Sequence, residues 1–417
     1  MYRPGWHRLR LRLQRGWSTV VPGTTCLSWL TSNQVLHGQA RTTVSGRLCL
    51  CTSRVTNSPR AIKPVARPAL SAFRHLPRMH HHHFASNPLD RLSTKRGDST
   101  FLAKTLSDTS SKFLVYGGHR ILVTKDRELA LLSRLDLETA GGQSLFEGGE
   151  ATTLVFLGVD SRSIAYWAID GTGQLAGLEE PLSQKGLSFA SSRPAAFGFC
   201  SFHAALFSQA ASLLDWNSRN RFCSSCGGRT SSDDGGYKRT CPNAACVSNK
   251  GIQNSSYPRT DPVVIACIIS KDGERCLLGR KPVWPQGMYS CVAGFMEGGE
   301  SIEEAVQREA YEETNVRISK VWYHSSQPWP FPAQLMIGCV AQAETEDIQL
   351  HDDELEDARW FTREEAREML SNAEAHDAPA TGLFTAKPYA IANTLVKSWV
   401  NDTFESRQPW SSPQARI

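Results

Sequence analysis

Between residues 85 and 200 the apolar positions fall in short runs broken by Gly, Asp and Ser: ILV at 121–123, TTLVFLGV at 152–159 and SIAYWAI at 163–169. Runs this rich in β-branched and aromatic residues predict strands. From His203 the spacing changes: Leu206, Ala210, Leu213 and Leu214 recur at helical intervals, and the helix they predict leads into Cys223. Further on, VVIACII (263–269) reads as a buried strand and CLLGRK (276–281) as its hairpin partner across the turn at 271–274. Acid-rich helical segments at 301–314 and 362–374 then alternate with strand-like runs such as LMIGCVAQA (335–343). Strands and helices mixed in this way predict an α/β sandwich in the C-terminal part, behind a smaller α+β region.

A chain of 417 residues has room for two or three domains. No window approaches the ~18 consecutive apolar residues of a membrane-spanning helix, so no membrane association is expected. Charge changes the picture more than composition does. The net charge is +5, yet residues 1–89 hold thirteen Lys and Arg and no acid, which leaves 33 bases against 41 acids beyond them. The rest of the chain is acidic, a poor match for bulk nucleic acid, whose binding rests on many cationic contacts to phosphate. An Arg-rich, Ser-containing, acid-free leader over residues 1–84 has the pattern of a mitochondrial presequence if translation starts at Met1. A start at Met79 would instead leave a peroxisomal or cytoplasmic protein, and the terminal Ala415-Arg416-Ile417 is close to a peroxisomal address. The His80–His83 run beside Met79 reads as a flexible edge.

Four of the twelve cysteines lie close together, as Cys223-x2-Cys226 and Cys241-x4-Cys246. Two short turns that each offer a pair of thiolates are the usual way to hold one tetrahedral zinc. With all four positions filled by protein, no site is left for water, and the role expected is structural. The longer second gap predicts a looser second turn.

The segment from Gly294 carries candidate chemistry. Ser301 and Glu304 form a capping-box pattern, so a helix should begin there. On it Glu309, Glu312 and Glu313 stand at i, i+3 and i+4, which gathers three carboxylates on one face, while Ile302, Ala305 and Val306 form the apolar face. Clustered hard oxygen donors suit Mg2+ or Mn2+. Such ions neutralise a diphosphate and acidify a bound water, with a neighbouring carboxylate to take the proton. Arg308 reads as a holder of those carboxylates, and Glu313 as the base or a metal ligand.

GFMEGGESIEEAVQREAYEETNV, from Gly294, resembles the Nudix box, G-x5-E-x7-R-E-U-x-E-E-x-G-U, with U aliphatic. Asn315 stands where the box has its final Gly, and Asn is the next residue type able to take a left-handed C-cap. Ten residues past the box, Ser326-Gln-Pro-Trp-Pro-Phe-Pro332 resembles the SQPWPFPxS array of NADH pyrophosphatases, with Gln334 in place of the last Ser. Its proline-braced rings read as a platform for a stacked base. Cysteine pairs, a YPRxxP linker (Tyr257 to Pro262), box and array follow the order found in that family of zinc-ribbon Nudix hydrolases.

The resemblance implies a Nudix α/β/α sandwich with a mixed sheet at 258–402, a zinc ribbon at 216–257, an α+β domain at 85–215 and a tail from 403 to 417. It implies cleavage of NAD(H) to NMN(H) and AMP by a homodimer. Metal would bind at Glu309, Glu312, Glu313 and Glu354, and substrate at Phe295, Gln327, Trp329, Phe331, Ala392 and Tyr257. Phe295 and Trp329 would bracket the adenine, and Ala392 would offer a backbone contact. Related adenylate dinucleotides and the NAD cap of an RNA fit the same site, the latter being the one nucleic-acid partner the reading admits. A non-catalytic interaction protein on an inactive Nudix fold would be expected to lack one of the helix glutamates, and all three are present.

Overall fold

The computed structural model describes residues 81–147, 152–250, 256–351, 353–375 and 382–403. The basic leader up to residue 80 and the chain end from 404 lie outside the described residues. Among those described, no helix is long and apolar enough to cross a membrane.

The first domain is built on a five-stranded sheet of β1 (Lys112–Gly117), β2 (Arg120–Val123), β3 (Thr153–Val159), β4 (Ala165–Asp170) and β5 (Ser188–Ser191), in the order β3-β4-β1-β2-β5. The β1–β4 pair is parallel and the others antiparallel. Its helices are α1 (Ser99–Ser107), α2 (Arg134–Thr139), α3 (Leu175–Gln184), α4 (Ser192–Gly198) and α5 (Ser201–Arg219). Alternation along β1 sends Leu114 and Tyr116 toward Leu206, Phe207 and Ala210 of α5, and Phe113 and Val115 toward Leu137, Leu178 and Leu182 of α2 and α3. Helices therefore cover both faces. This is the α+β arrangement expected from the sequence, with helices on both faces because Phe113 to Tyr116 of β1 are apolar on each side.

A small hairpin follows, of β6 (Ser231–Asp233) and β7 (Lys238–Thr240). It is tied to the first domain by Asn217 of α5, whose amide donates to the Gly236 carbonyl at 2.9 Å while its oxygen accepts from Arg239 at 3.1 Å.

The C-terminal domain comprises β8 (Asp261–Ile269), β9 (Arg275–Arg280), β10 (Met288–Tyr289), β11 (Val292–Phe295), α6 (Ile302–Thr314), β12 (Ile318–Trp329), β13 (Gln334–Ala343), β14 (Asp357–Thr362), α7 (Arg363–Glu374), β15 (Phe384–Thr385) and α8 (Ile391–Val400). Its main sheet runs β12-β13-β8-β9-β14, with β11 also paired to β8. The β13–β8 pair is parallel within an otherwise antiparallel sheet. Along β8, Val264, Ala266 and Ile268 pack under α6, and Ile265 and Cys267 under α7 and α8. This is the mixed-sheet α/β/α sandwich expected.

Both ends of α6 follow from local chemistry. The Ser301 hydroxyl accepts from the Glu304 N–H at 3.2 Å, and the Glu304 carboxylate accepts from the Ser301 N–H at 2.7 Å. Asn315 closes the helix at φ 64 and ψ 3, with its N–H on the Tyr311 carbonyl. A β-carbon costs ~1–2 kcal/mol in that left-handed conformation unless the side chain bonds locally. Asn315→Ala should thus lower the unfolding free energy by about 1 kcal/mol, whereas Asn315→Gly should leave it unchanged or raise it. Urea midpoints of the two variants check this.

The His80–His83 run is not the flexible edge read from the sequence, as far as it is described. His82 is buried with its Nε2 2.8 Å from the Ser325 hydroxyl, and His83 Nε2 lies 2.9 Å from the Ala196 carbonyl. The imidazoles find polar partners brought up by the C-terminal domain and by α4, which the local sequence does not show.

Candidate active site and zinc centre

Arg308 organises the carboxylates of α6. Its Nε lies 2.5 Å and its Nη2 2.9 Å from the two oxygens of Glu300, a bidentate pair. Its Nη1 reaches Glu309 at 2.8 Å and Glu312 at 2.9 Å, and Nη2 also donates to the Phe295 carbonyl at 2.8 Å. This guanidinium, helped by the Glu297 N–H, holds the Glu300 carboxyl at about 2. Glu309 moves the other way. Burial raises its pKa, Arg308 opposes that, and the charges of Glu312 and Glu354 push it further up.

The three helix glutamates differ in setting. Glu313 is 2 % exposed, Glu309 is half-buried and Glu312 faces solvent. Glu354 pairs with Lys281. Gly294 explains how Glu309 comes so close to β11: a β-carbon there would lie 2.0 Å from the Glu309 carboxyl carbon. The glycine is needed for that approach rather than for its φ. Gly294→Ala should leave the fold intact, because the far end of one flexible side chain can move. The displaced carboxylate should cost about 10²-fold in metal-dependent turnover, the order expected for a ~1 Å misplacement. Circular dichroism beside a turnover assay separates these outcomes.

The donor set fits divalent cations. The groups are hard oxygens, and one carboxyl is raised by burial and by like charges, a condition that a bound cation relieves. Among the described residues no three of these carboxylates converge within 4.8 Å, since Arg308 and Lys281 draw them outward.

The predicted substrate contacts are placed unevenly. Phe295 and Tyr257 are 54 % and 55 % exposed. Ala392 is buried, and its carbonyl accepts from the Cys291 thiol at 3.9 Å. Gln327 is fully buried: its amide donates to the His83 and Tyr389 carbonyls at 3.0 and 2.8 Å, and its oxygen accepts from the Ile391 N–H at 2.8 Å. The side chain is spent on joining backbone segments. Trp329 and Phe331 do not form a free-standing platform. Each packs on Phe84 and Phe197, at centroid distances of 5.5 to 5.8 Å. The sequence shows the array's own rings but not those that come to meet them, and Ser326 to Trp329 prove to be the end of β12. Register still connects the array to β11. Gln327 pairs with Met336, Met336 with Val263 and Val263 with Phe295, so one cross-strand row links the array to the strand that Arg308 holds. Glu300 and Lys281, which pair with Arg308 and Glu354, are residues that the sequence did not single out, although Glu300 is itself a box position.

The four cysteines converge. Their sulfurs lie within 4.8 Å of one another, with Cys223–Cys246 at 3.8 Å and Cys226–Cys241 at 3.5 Å. Tetrahedral Zn–S bonds of ~2.3 Å require sulfurs roughly 3.8 Å apart, so the cradle fits the ion. Backbone N–H groups of Ser225 and Cys226 lower the Cys223 thiol to about 6. The wider second turn is held by Asn249, whose amide donates to the carbonyls of Cys241 and Asn243 at 3.2 and 2.8 Å. Those bonds supply the order that a shorter gap would give by itself.

Comparison with known proteins follows this layout. Residues 110–216 match the NADH pyrophosphatase-like rudimentary NUDIX domain, 218–246 the NADH pyrophosphatase zinc ribbon domain and 259–383 the NUDIX domain. The human NAD-capped RNA hydrolase NUDT12 is 36 % identical over 347 residues, 76 % of this chain and 73 % of that protein. The NAD-capped RNA hydrolase of Schizosaccharomyces pombe is 37 % identical over 364 residues, 78 % of this chain and 94 % of that one. The mouse NAD(P)H pyrophosphatase NUDT13, mitochondrial, is 34 % identical over 296 residues, 68 % of this chain and 80 % of that one. With most of its length aligned to these enzymes and its three parts in matching order, the chain belongs to the NADH pyrophosphatase family of zinc-ribbon Nudix hydrolases.

Proposed function

We propose that this Nudix hydrolase cleaves the diphosphate of NAD(H) to NMN(H) and AMP. The observation that carries the reading is the Arg308-centred carboxylate cluster on α6, set at the same end of the sheet as Phe295 and the SQPWPFP array. Glu309, Glu312, Glu313 and Glu354 would hold Mg2+ or Mn2+, which supplies charge neutralisation of the diphosphate and acidifies water. Glu313 accepts the proton of the attacking water. Arg308 orients Glu309 and Glu312 and is itself held by Glu300. The exposed faces of Phe295 and Tyr257 offer rings for the bases, and the protein would act as the homodimer that its resemblance implies. The domain bounds expected from the sequence, import of the Met1 form into mitochondria and a peroxisomal or cytoplasmic form from Met79 are retained with this reading. The Schizosaccharomyces and human relatives are both called NAD-capped RNA hydrolases, which favours NAD-capped RNA as a second substrate for the same cleavage.

Chromatography of NADH incubated with the protein and Mn2+ should show NMNH and AMP in equal amounts. Nicotinamide with ADP-ribose, or no product from folded, metal-supplied protein, would sink the assignment.

A further inference from the structure

Two clefts open where the first domain meets the ribbon. One, of ≈ 830 Å³, is bounded by Pro330, Phe331 and Pro332 of the array and by Arg193, Arg219 and Arg221. The other, of ≈ 680 Å³, runs along β3 and the ribbon hairpin beside Arg96, Arg221, Arg229 and Arg239. Thr153 and Arg221 line both, so the two form one groove. It begins at the array, and the array shares a cross-strand row with Phe295 and hence with the carboxylate site.

The charge of this groove stands out against the acidic chain around it. Six arginines line it against four aspartates, Asp170, Asp215, Asp233 and Asp234. Asp215 is taken by Arg219, and Asp170 accepts from the Thr172 N–H. Arg193 and Arg221 are exposed, and neither has an ion pair with a described carboxylate. Arg239 is buried with no acid in hydrogen-bond contact: its guanidinium donates to Thr230 and Asn217, and burial followed by the field of Arg221, against that of Asp233, pulls its pKa below the usual arginine range. The guanidinium groups of Arg193 and Arg221 are thus the ones left for a ligand to meet. Aromatic rings line the groove and stand beside it. Arg193 lies over Phe331 at 5.3 Å, and Phe222, outside the lining but next to Arg221 and 58 % exposed, has the Arg229 guanidinium 5.6 Å from its ring. Cations spaced with rings are what a single strand requires, phosphates meeting guanidinium groups and bases stacking on aromatic faces.

A free dinucleotide has no phosphates beyond the bond that is cut and cannot use such a groove. A substrate whose adenosine continues into a polynucleotide can. We propose that the groove is the track for the first single-stranded nucleotides of an NAD-capped RNA whose cap lies in the carboxylate site, with Arg193 and Arg221 on phosphates and Phe222, at its rim, under a base. This rests on the reading of that site as an NAD diphosphatase.

The test compares kcat/KM for a short unstructured NAD-capped RNA and for NADH between about 50 and 200 mM salt. Wild type, Arg193→Glu, Arg221→Glu and Phe222→Ala are measured side by side, with zinc content confirmed for the ribbon variants. The charge reversals should lower kcat/KM for the RNA at least ~10-fold at low salt and flatten its log–log salt slope by about 0.7 for each phosphate no longer neutralised. Phe222→Ala should weaken RNA cleavage and leave the slope alone, and NADH cleavage should stay at the wild-type value throughout. Arg193 lies away from the cysteines, so its variant decides the matter if the ribbon variants disturb zinc. An unchanged RNA slope in Arg193→Glu, or RNA and NADH values falling together, would overturn the track. Wild type that cleaves NADH but not NAD-capped RNA would also overturn it and leave the NAD(H) reading standing. Cleavage of neither substrate would overturn the underlying reading.

Discussion

Glu313→Gln should lower kcat for NADH cleavage by about 10²–10⁴-fold, the range of a lost general base, with little change in KM. Glu313 is buried at the C-terminal end of α6. Gln matches it in shape but cannot accept a proton or neutralise a cation, so folding should survive. The fall should appear with Mg2+ and Mn2+ alike, because the change removes a charge and not a geometry. Glu312→Gln is the informative companion. Its carboxylate faces solvent and is shared with Arg308, so its loss should be smaller and partly offset by higher metal concentration. Equal losses at the two positions would argue that both act as ligands and that the base lies elsewhere.

Removing zinc should have the largest effect on stability. Structural zinc sites contribute on the order of 10–16 kcal/mol in isolated fingers, and the ribbon has little core of its own. Its buried cluster consists of Cys223, Cys241 and Cys246. Loss would not stop at the ribbon, because Asn217 of α5 is bonded both to Gly236 and to Arg239. Cys241→Ser should purify with less than one zinc per chain, melt well below wild type and be cut by protease between residues 220 and 256. A zinc-free variant with wild-type melting and protease resistance would show that the cysteines are not the ribbon's framework.

What could be read in the sequence was whatever the chain settles locally. α6 came out within a residue at each end because Ser301, Glu304 and Asn315 carry its caps. β8 was legible as a buried strand because it is apolar on both faces, and the cysteine spacing reported its own convergence. The rest depends on partners far along the chain. Lys281 meets Glu354 from 73 residues away, and Gln327 meets His83 from 244. No periodicity reports such pairings. Trp329 and Phe331 invited a reading as an open platform because nothing near them in sequence announces Phe84, Phe197 or Phe207.

Those rings also bear on how the molecule comes apart. Phe84 from the N-terminal segment, Phe197 and Phe207 from the first domain, Trp329 and Phe331 from the array and Tyr389 before α8 form one aromatic cluster, with the Gln327 amide bonded beside it. Two domains that share a core in this way should melt in a single cooperative step. In hydrogen exchange, the amide of Ile391, which the Gln327 oxygen holds, should open no sooner than the strands of the first sheet. The N-terminal domain then acts as half of the catalytic domain's foundation, and destabilising substitutions in it should be felt as lost turnover.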